Sequence, residues 1–334
     1  MTSIGFHDPT GHEPSAQILV EKPGWLTTVQ DGGRLGWQAF GVPVSGPMDR
    51  WSHAAANRLV GNPDDEAALE MTVKGPELLF ERDTVAAVTG ADLSPTVDGR
   101  ELPLWTTVLL RAGSRLRFGA RRMGARSYLA VAGGLDVPVV WGSRATHVAG
   151  KIGGMKGRAL AAGDRLGLRP PGRASRMIVG RTVPAPARPS WQSPAWLRVV
   201  PGPHGDAFDP AVLDVLTGGT YTLSSRSDRM GARLMGPRLR HRGAPDGISE
   251  GTVLGALQVP ADEQPILLLA DRQTVGGYPQ VAVVIAADWS AAGQLMPGDV
   301  VRFRLTTPAE AQAAGLAHWR RLDEVVPPVR GDAR

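Results

Sequence analysis

Apolar positions along this chain fall mostly into short runs of strand length, separated by glycine, proline and small polar residues. The most informative stretch runs from Ile266 to Asp288, ILLLADRQTVGGYPQVAVVIAAD. Residues 266–270 and 281–287 read as two strands, the second rich in β-branched side chains. Between them stand Asp271, Arg272, Gln273 and Thr274, then Gly276, Gly277, Tyr278 and Pro279. Adjacent glycines admit positive φ and let a ligand approach the main chain. The stretch is therefore either a hairpin with a wide polar turn or a loop that faces a ligand.

The same patterning organises the rest of the chain. Residues 1–16 read as a polar leader. Strands are expected at 17–20, 69–73, 77–80, 85–89, 107–110, 115–118 and 127–132, with Asp98-Gly99 as a hairpin turn. The glycine and proline content of 25–49 makes that segment one long shaped loop, a type that is often functional. WSHAAANRLV, 51–60, is a short helix with Asp49 as its N-cap. A first β-rich domain thus spans 17–168, and a Pro- and Arg-rich linker covers 169–195. A second β-rich domain spans 196–306. A helix follows at 307–322, with Thr307 as cap and Pro308 in its first turn, and the last dozen residues read as a tail.

The two β-rich regions repeat each other. Glu70-x-Thr72-Val73-x-Gly75 matches Glu250-x-Thr252-Val253-x-Gly255, and Leu110-x-x-Gly113-x4-Phe118 matches Leu295-x-x-Gly298-x4-Phe303. Asp92 follows an apolar strand as Asp271 does. Landmarks in the same order imply two copies of one β fold, which should superimpose with Glu70 on Glu250 and Gly113 on Gly298.

Composition narrows the chemistry. There is no cysteine, which excludes disulfides, thiolate catalysis and Cys-based zinc sites. The seven histidines show no metal-ligand spacing. The net charge of +5 comes almost wholly from arginine, since Lys22, Lys74, Lys151 and Lys156 are the only lysines. The arginines are interspersed with acids, so a nucleic-acid stripe is not expected. Neither a signal peptide nor a membrane span is visible, and a cytoplasmic protein is expected. No phosphate loop and no Gly-x-Ser-x-Gly elbow occurs.

Three further segments are candidates for chemistry. SSRSDRMGARLMGP, 224–237, groups Arg226, Asp228 and Arg229, either as an internal ion network or as a grip on an anionic substrate. PGPHGDAF, 201–208, presents His204 in a turn, as a structural residue or a general base. VPVSGPMD, 42–49, places Ser45 beside Gly46, as a structural loop or an anion nest.

These segments together with QDGGRLGWQAFGVPVSGPMD, ALEMTVKGPELLF, TGADLSPTVDG, YLAVAGGLDVPVVWGSRAT and VVPGPHGDAF resemble the C subunit of bacterial 5-oxoprolinase. That family is also called KipA, allophanate hydrolase subunit 2 or the biotin-dependent carboxyltransferase family, and the likeness covers about 17–305. The resemblance implies a mainly β fold of two tandem cyclophilin-like β-barrel domains. It implies two partners, a KipI-like protein (the B subunit) and a lactam hydrolase of the A-subunit type. ATP would be used by the complex to open 5-oxo-L-proline to L-glutamate. The resemblance also implies two alternatives: carboxyl transfer from carboxybiotin to urea or a related amide, and a non-enzymatic regulator that antagonises a sensor-kinase inhibitor. Met155-Lys156-Gly157 departs from the Met-Lys-Met of biotin carriers, so biotin is not carried by this chain.

For such chemistry Asp271, Arg272 and His204 are the candidate catalytic residues. Arg226, Asp228, Arg229, Gln273, Thr274, Gly276, Gly277, Tyr278 and Ser45 are the candidate binding residues, with no metal. The loop 271–278 is expected to meet 226–229 and His204 in one pocket.

Overall fold

The computed structural model describes residues 18–172, 178–243 and 247–328. The expected leader and the final residues of the expected tail lie outside the described residues. The fold is mainly β, as expected, and its strands gather into two units.

The first unit consists of two sheets that share a core. Seven strands run in the spatial order Leu135–Asp136, Arg165–Leu168, Ile18–Lys22, Glu77–Phe80, Arg115–Phe118, Pro95–Val97 and Arg100–Glu101. Five more run Leu26–Gln30, Ala68–Thr72, Met123–Val131, Thr84–Asp92 and Thr107–Leu110. Alternate residues point inward, so Ile18, Val20, Leu78 and Phe80 from one sheet meet Val29, Leu69, Met71 and Leu129 from the other. The turn at Asp98-Gly99 forms as expected: both residues have positive φ, and Val97 pairs with Arg100.

Leu26–Gln30 is a strand rather than part of the expected loop. Thr27, Thr28 and Val29 are β-branched and pair in full register with Ala68–Thr72. The glycines and prolines that suggested a loop all lie outside these five residues.

The second unit is a closed barrel of Ala195–Pro201, Gln280–Val284, Ala256–Gln258, Ile266–Leu268, Gly231–Met235, Tyr221–Leu223 and Val300–Leu305. Parallel pairing of Ala195–Pro201 with Val300–Leu305 closes it. Leu197, Val199, Leu257, Leu267 and Phe303 fill its interior. The expected strand 281–287 stops at Val284, where a single turn, Ala286–Asp288, begins. Asp288 is held there by the Arg198 N–H at 2.7 Å and the Arg198 guanidinium at 2.6 Å. Gly113 and Gly298 both adopt positive φ just before a strand, each donating its N–H to an earlier strand's carbonyl.

Helices cover the outer face of the five-stranded sheet. Arg50–Leu59 is capped by Asp49, whose carboxylate accepts from Ser52 N at 3.0 Å and Ser52 Oγ at 2.6 Å. Pro308–Val325 starts with a reciprocal Thr307–Glu310 capping box and returns to the first unit. It runs past residue 322, into the expected tail, because its end is anchored. Leu322 and Val326 are buried with Trp51 and Leu59, and Asp323 bonds Arg58 at 2.7 Å. Part of the linker also packs: Val183 is buried and its N–H bonds Trp105 O at 2.9 Å.

The two units are joined by side chains that satisfy each other's backbone. Gln294 Oε1 accepts from Ala125 N and Arg126 N, both at 2.8 Å. Its Nε2 donates to Asp49 at 2.8 Å, and Arg126 donates to Gly293 O and Leu295 O. Buried polar groups satisfied in this way fix the relative position of the units.

Candidate functional site

At the seam between the units lies a buried ion cluster built from three separate segments. Arg229 sits in the turn before Gly231–Met235, Asp271 follows Ile266–Leu268, and Glu70 is in the middle of Ala68–Thr72. The Arg229 guanidinium meets Asp271 through two bonds, Nε–Oδ2 at 2.9 Å and Nη2–Oδ1 at 3.1 Å. It also donates to Glu70 and, at 2.7 Å, to Gly46 O. Burial opposes the Arg229 charge, but Asp271 and Glu70 outweigh it and raise the pKa above the usual arginine value. The second oxygen of Glu70 accepts from Met48 N and Tyr128 Oη, each at 2.8 Å. Tyr128 Oη in turn accepts from Asp49 N at 2.8 Å. Burial first, then Glu70 and Asp49, push the Tyr128 pKa up, so the phenol stays protonated as a donor.

Beside this cluster two buried polar groups, on Ser45 and Arg34, have no partner among the described residues. Ser45 is 1% exposed, adopts φ +57°, and leaves its Oγ without a hydrogen bond. Arg34 is fully buried; its Nε and Nη2 bond Val140 O and Ala145 O, but Nη1 is unused. Their loops touch backbone to backbone, since Arg34 N donates to Val44 O at 2.6 Å. Gly33 and Gly46 permit this approach, because a Cβ on Gly33 would lie 2.9 Å from Val44 Cγ1 and one on Gly46 3.2 Å from Asp31 O. Asp31 shapes the same corner by accepting from Gly33 N, Ser143 Oγ and Arg144 N. Ser45 is thus bracketed by Arg34 on one side and by Gly46, which holds Arg229, on the other.

His147 completes the group. Its Nδ1 accepts from Gly150 N at 3.2 Å, which leaves the ring proton on Nε2. Burial lowers its pKa, partly opposed by Asp271, with Arg229 and Arg34 lowering it further. The neutral imidazole is therefore a hydrogen-bond donor at pH 7. Arg34 is likewise lowered by burial and partly restored by Asp31 and Asp271. A hydroxyl, a guanidinium N–H and an imidazole N–H near a buried carboxylate suit an amide, which offers one carbonyl oxygen and one N–H.

The remaining sequence candidates occupy other places. Arg226 is exposed, and Asp228 shapes a turn by accepting from Met230 N at 2.8 Å and Gly231 N at 3.1 Å. His204 accepts from Gln280 N at 3.0 Å and lies 3.4 Å from Glu250, which itself takes a 2.6 Å bond from Gln280. Gln273 donates to Gln258 at 3.2 Å, and Thr252 bonds the carbonyls of Gln273 and Thr274. Gly276 pairs with Glu250 in a two-stranded ribbon, Gly277 O accepts from Gly247 N, and Tyr278 is partly exposed. No hydrogen bond or ion pair among the described residues links His204 to Asp271 or Arg229. Arg272 bonds neither carboxylate of the cluster, and its Nε is buried without a partner among the described residues.

The structure therefore brings together Ser45, Arg229 and Asp271 from the expected set and adds Arg34, Glu70, Tyr128 and His147. Two of the additions carried a signal. Glu70 heads a repeat landmark, and His147 lies in a glycine-rich loop. Arg34 had none beyond its place in QDGGR. Among the described residues no group of three or more His, Asp or Glu side chains is placed to hold a metal ion. No helix there is long and apolar enough to cross a membrane.

Comparison with known proteins gives a consistent picture. The chain is 38% identical to the C subunit of 5-oxoprolinase from Escherichia coli over 92% of its own length and 97% of that protein. It is 36% identical to urea amidolyase of Saccharomyces cerevisiae over 87% of its length, which corresponds to 17% of that much longer protein. The solved urea amidolyase of K. lactis superimposes with a TM-score of 0.87 at 31% identity, over 95% of this chain and 20% of that one. Residues 40–305 match the model for the carboxyltransferase domain, subdomain A and B. These residues include every member of the buried cluster except Arg34, and the chain belongs to the carboxyltransferase domain family, subdomains A and B.

Proposed function

We propose that this chain is the amide-holding component of a 5-oxoprolinase complex that opens 5-oxo-L-proline to L-glutamate. The observation that carries this reading is the nearly full-length likeness to a 5-oxoprolinase C subunit, at 97% of that protein. The lactam carbonyl would accept from Ser45 Oγ, Arg34 Nη1 and His147 Nε2, and its N–H would donate to Asp271. Donors preorganised around that oxygen stabilise the negative charge that develops when the amide is activated. Arg229 and Glu70 act as positioning residues that hold Asp271 and the loop at Gly46.

ATP belongs to the complex as a whole in this reading. The sequence has no phosphate loop, so no step here is assigned to the nucleotide. A KipI-like protein and a lactam hydrolase, the B and A subunits, would supply what this chain lacks. Trp37 packs at a tilt against Phe40 and Trp141, with ring centroids 5.8 and 5.9 Å apart. Phe40 is 76% exposed. This aromatic face, on the loop that carries Arg34 and the one that carries Arg144, supports a large partner seated beside the site.

A second reading is a carboxyltransferase component that works on urea, with biotin delivered on another chain. The urea amidolyase likeness favours it. Purified chain should release no glutamate from 5-oxoproline and ATP alone, and should do so once both partner proteins are added. Turnover by the isolated chain would refute the multi-subunit reading. Urea carboxylation with an added biotin carrier, and no glutamate release with any partner, would favour the second.

A further inference from the structure

A cleft of about 450 Å³ opens where the first unit, the end of the linker and the second unit meet. It shares no wall residue with the Asp271 cluster. Met123, Trp191, Trp196 and Leu295 give it apolar walls, and residues 190–193 form a continuous stretch of its rim. Earlier in the linker the backbone is paired: Gly180 N donates to Thr107 O at 2.8 Å and Val183 N to Trp105 O. Along Ser190, Trp191, Gln192 and Ser193 this pairing stops. No N–H or C=O of these four residues takes part in a hydrogen bond among the described residues.

Charge is distributed unevenly around the same cleft. Arg121 lines it and donates only to Gly124 O, at 3.2 Å. Arg302 and Arg304 lie over the Trp196 ring, 4.9 and 5.1 Å from its centroid. None of these three arginines pairs with a carboxylate among the described residues, and the Nε of Arg302 is buried without a partner. The remaining charged wall residues are engaged. Arg122 meets Glu101 at 2.9 Å and Asp92 at 3.7 Å, and one oxygen of Asp299 accepts from Met296 N at 2.8 Å. A half-exposed tryptophan flanked by arginines is the composition of an interface anchor.

We propose that this cleft takes an extended, acidic segment of a partner protein. A peptide backbone pairs with a row of free N–H and C=O groups, because it carries both donors and acceptors. A phosphate group offers acceptors alone and would leave the carbonyls of 190–193 unpaired. Apolar side chains of the segment would enter between Met123, Trp191 and Leu295. Its acidic side chains would reach Arg121, Arg302 and Arg304, since Glu101 and Asp92 already occupy Arg122. Gln294, which joins the two units, also lines the cleft, so the segment would clasp them at an existing joint. The assignment is independent of which amide the complex uses.

The test is fluorescence anisotropy of the full chain with a short fluorescein-labelled peptide of glutamate and leucine. Wild type should bind it saturably and should not bind the counterpart with lysine in place of glutamate. Arg121→Glu combined with Arg304→Glu changes two exposed side chains. This variant should keep the wild-type melting temperature and bind at least about tenfold more weakly. The acidic peptide methylated on its backbone nitrogens should also lose at least about tenfold, because it can no longer donate. No saturable binding, equal binding of the lysine peptide, or an affinity that neither change moves would overturn the proposal. So would saturable binding of ADP in place of the peptide, which would reassign the cleft to a nucleotide. Should the variant not fold, the indole N–H resonances of wild-type Trp191 and Trp196 decide. A shift of either with the acidic peptide supports the site, and no shift of either refutes it.

Discussion

Arg229 and Arg272 belong to segments joined by a backbone bond, Asp271 N to Arg229 O at 2.9 Å, and both are nearly buried. Their surroundings are opposite. Arg229 spends its donors on two carboxylates and a carbonyl, whereas the Arg272 side chain bonds no described residue and its Nε is buried without a partner. The first arrangement holds two β units together. A buried charge is thus informative through its compensation rather than through its burial.

The comparison breaks first at Arg229. Arg229→Met leaves Glu70 and Asp271 buried without a counter-charge and should destabilise by about 3 to 5 kcal/mol, read by chemical denaturation. Adding Glu70→Gln and Asp271→Asn to it should recover most of that loss. If the single variant costs no more than an exposed pair would, about 1 kcal/mol or less, the cluster is not what locks the seam.

A smaller effect is expected one bond further out. Tyr128→Phe strands the Asp49 N–H and removes one of the two donors to a Glu70 oxygen, and should cost about 1 to 3 kcal/mol. Unchanged stability would show that water replaces the phenol.

How much of this was legible follows from the same residues. Asp271 stood out because a carboxylate directly after a buried strand needs a counter-charge, and Arg229 was a neighbour in composition though 42 positions away. Ser45 stood out through its adjacent glycine. Arg34 could not be found, because its burial depends on carbonyls of Val140 and Ala145 that only the fold brings near. Arg272 was grouped with Asp271 because they are consecutive, yet consecutive side chains can leave the backbone in different directions. His204 and Gln273 were grouped by polarity, whereas their bonds run to Gln280, Glu250 and Gln258. The β character of the chain was readable from alternation, but strand Leu26–Gln30 was hidden by the glycines that follow it.

Protonation gives a weaker test. His53 and His147 both have pKa values below the ordinary 6.5, because burial disfavours their charged forms; for His53, Asp31 and Glu70 oppose this only in part. As pH falls through 6.5 the unfolded chain binds protons that these native rings refuse, so stability should decline from there toward their lower folded values. Denaturation midpoints at pH 7.5, 6.5 and 5.5 would show it. His53→Gln should flatten the slope, and an unchanged slope would assign the decline to other groups.

The central claim is that the unpartnered groups beside Asp271 face the substrate, and Ser45 tests it most directly. Its hydroxyl has no partner among the described residues, so Ser45→Ala removes no hydrogen bond seen in the fold. In the complex reconstituted with both partner proteins, kcat/KM for 5-oxoproline should fall on the order of tenfold to a hundredfold, the worth of one hydrogen bond to a charged group. The melting temperature should stay at the wild-type value. Wild-type turnover by Ser45→Ala, with the same melting temperature, would contradict the account.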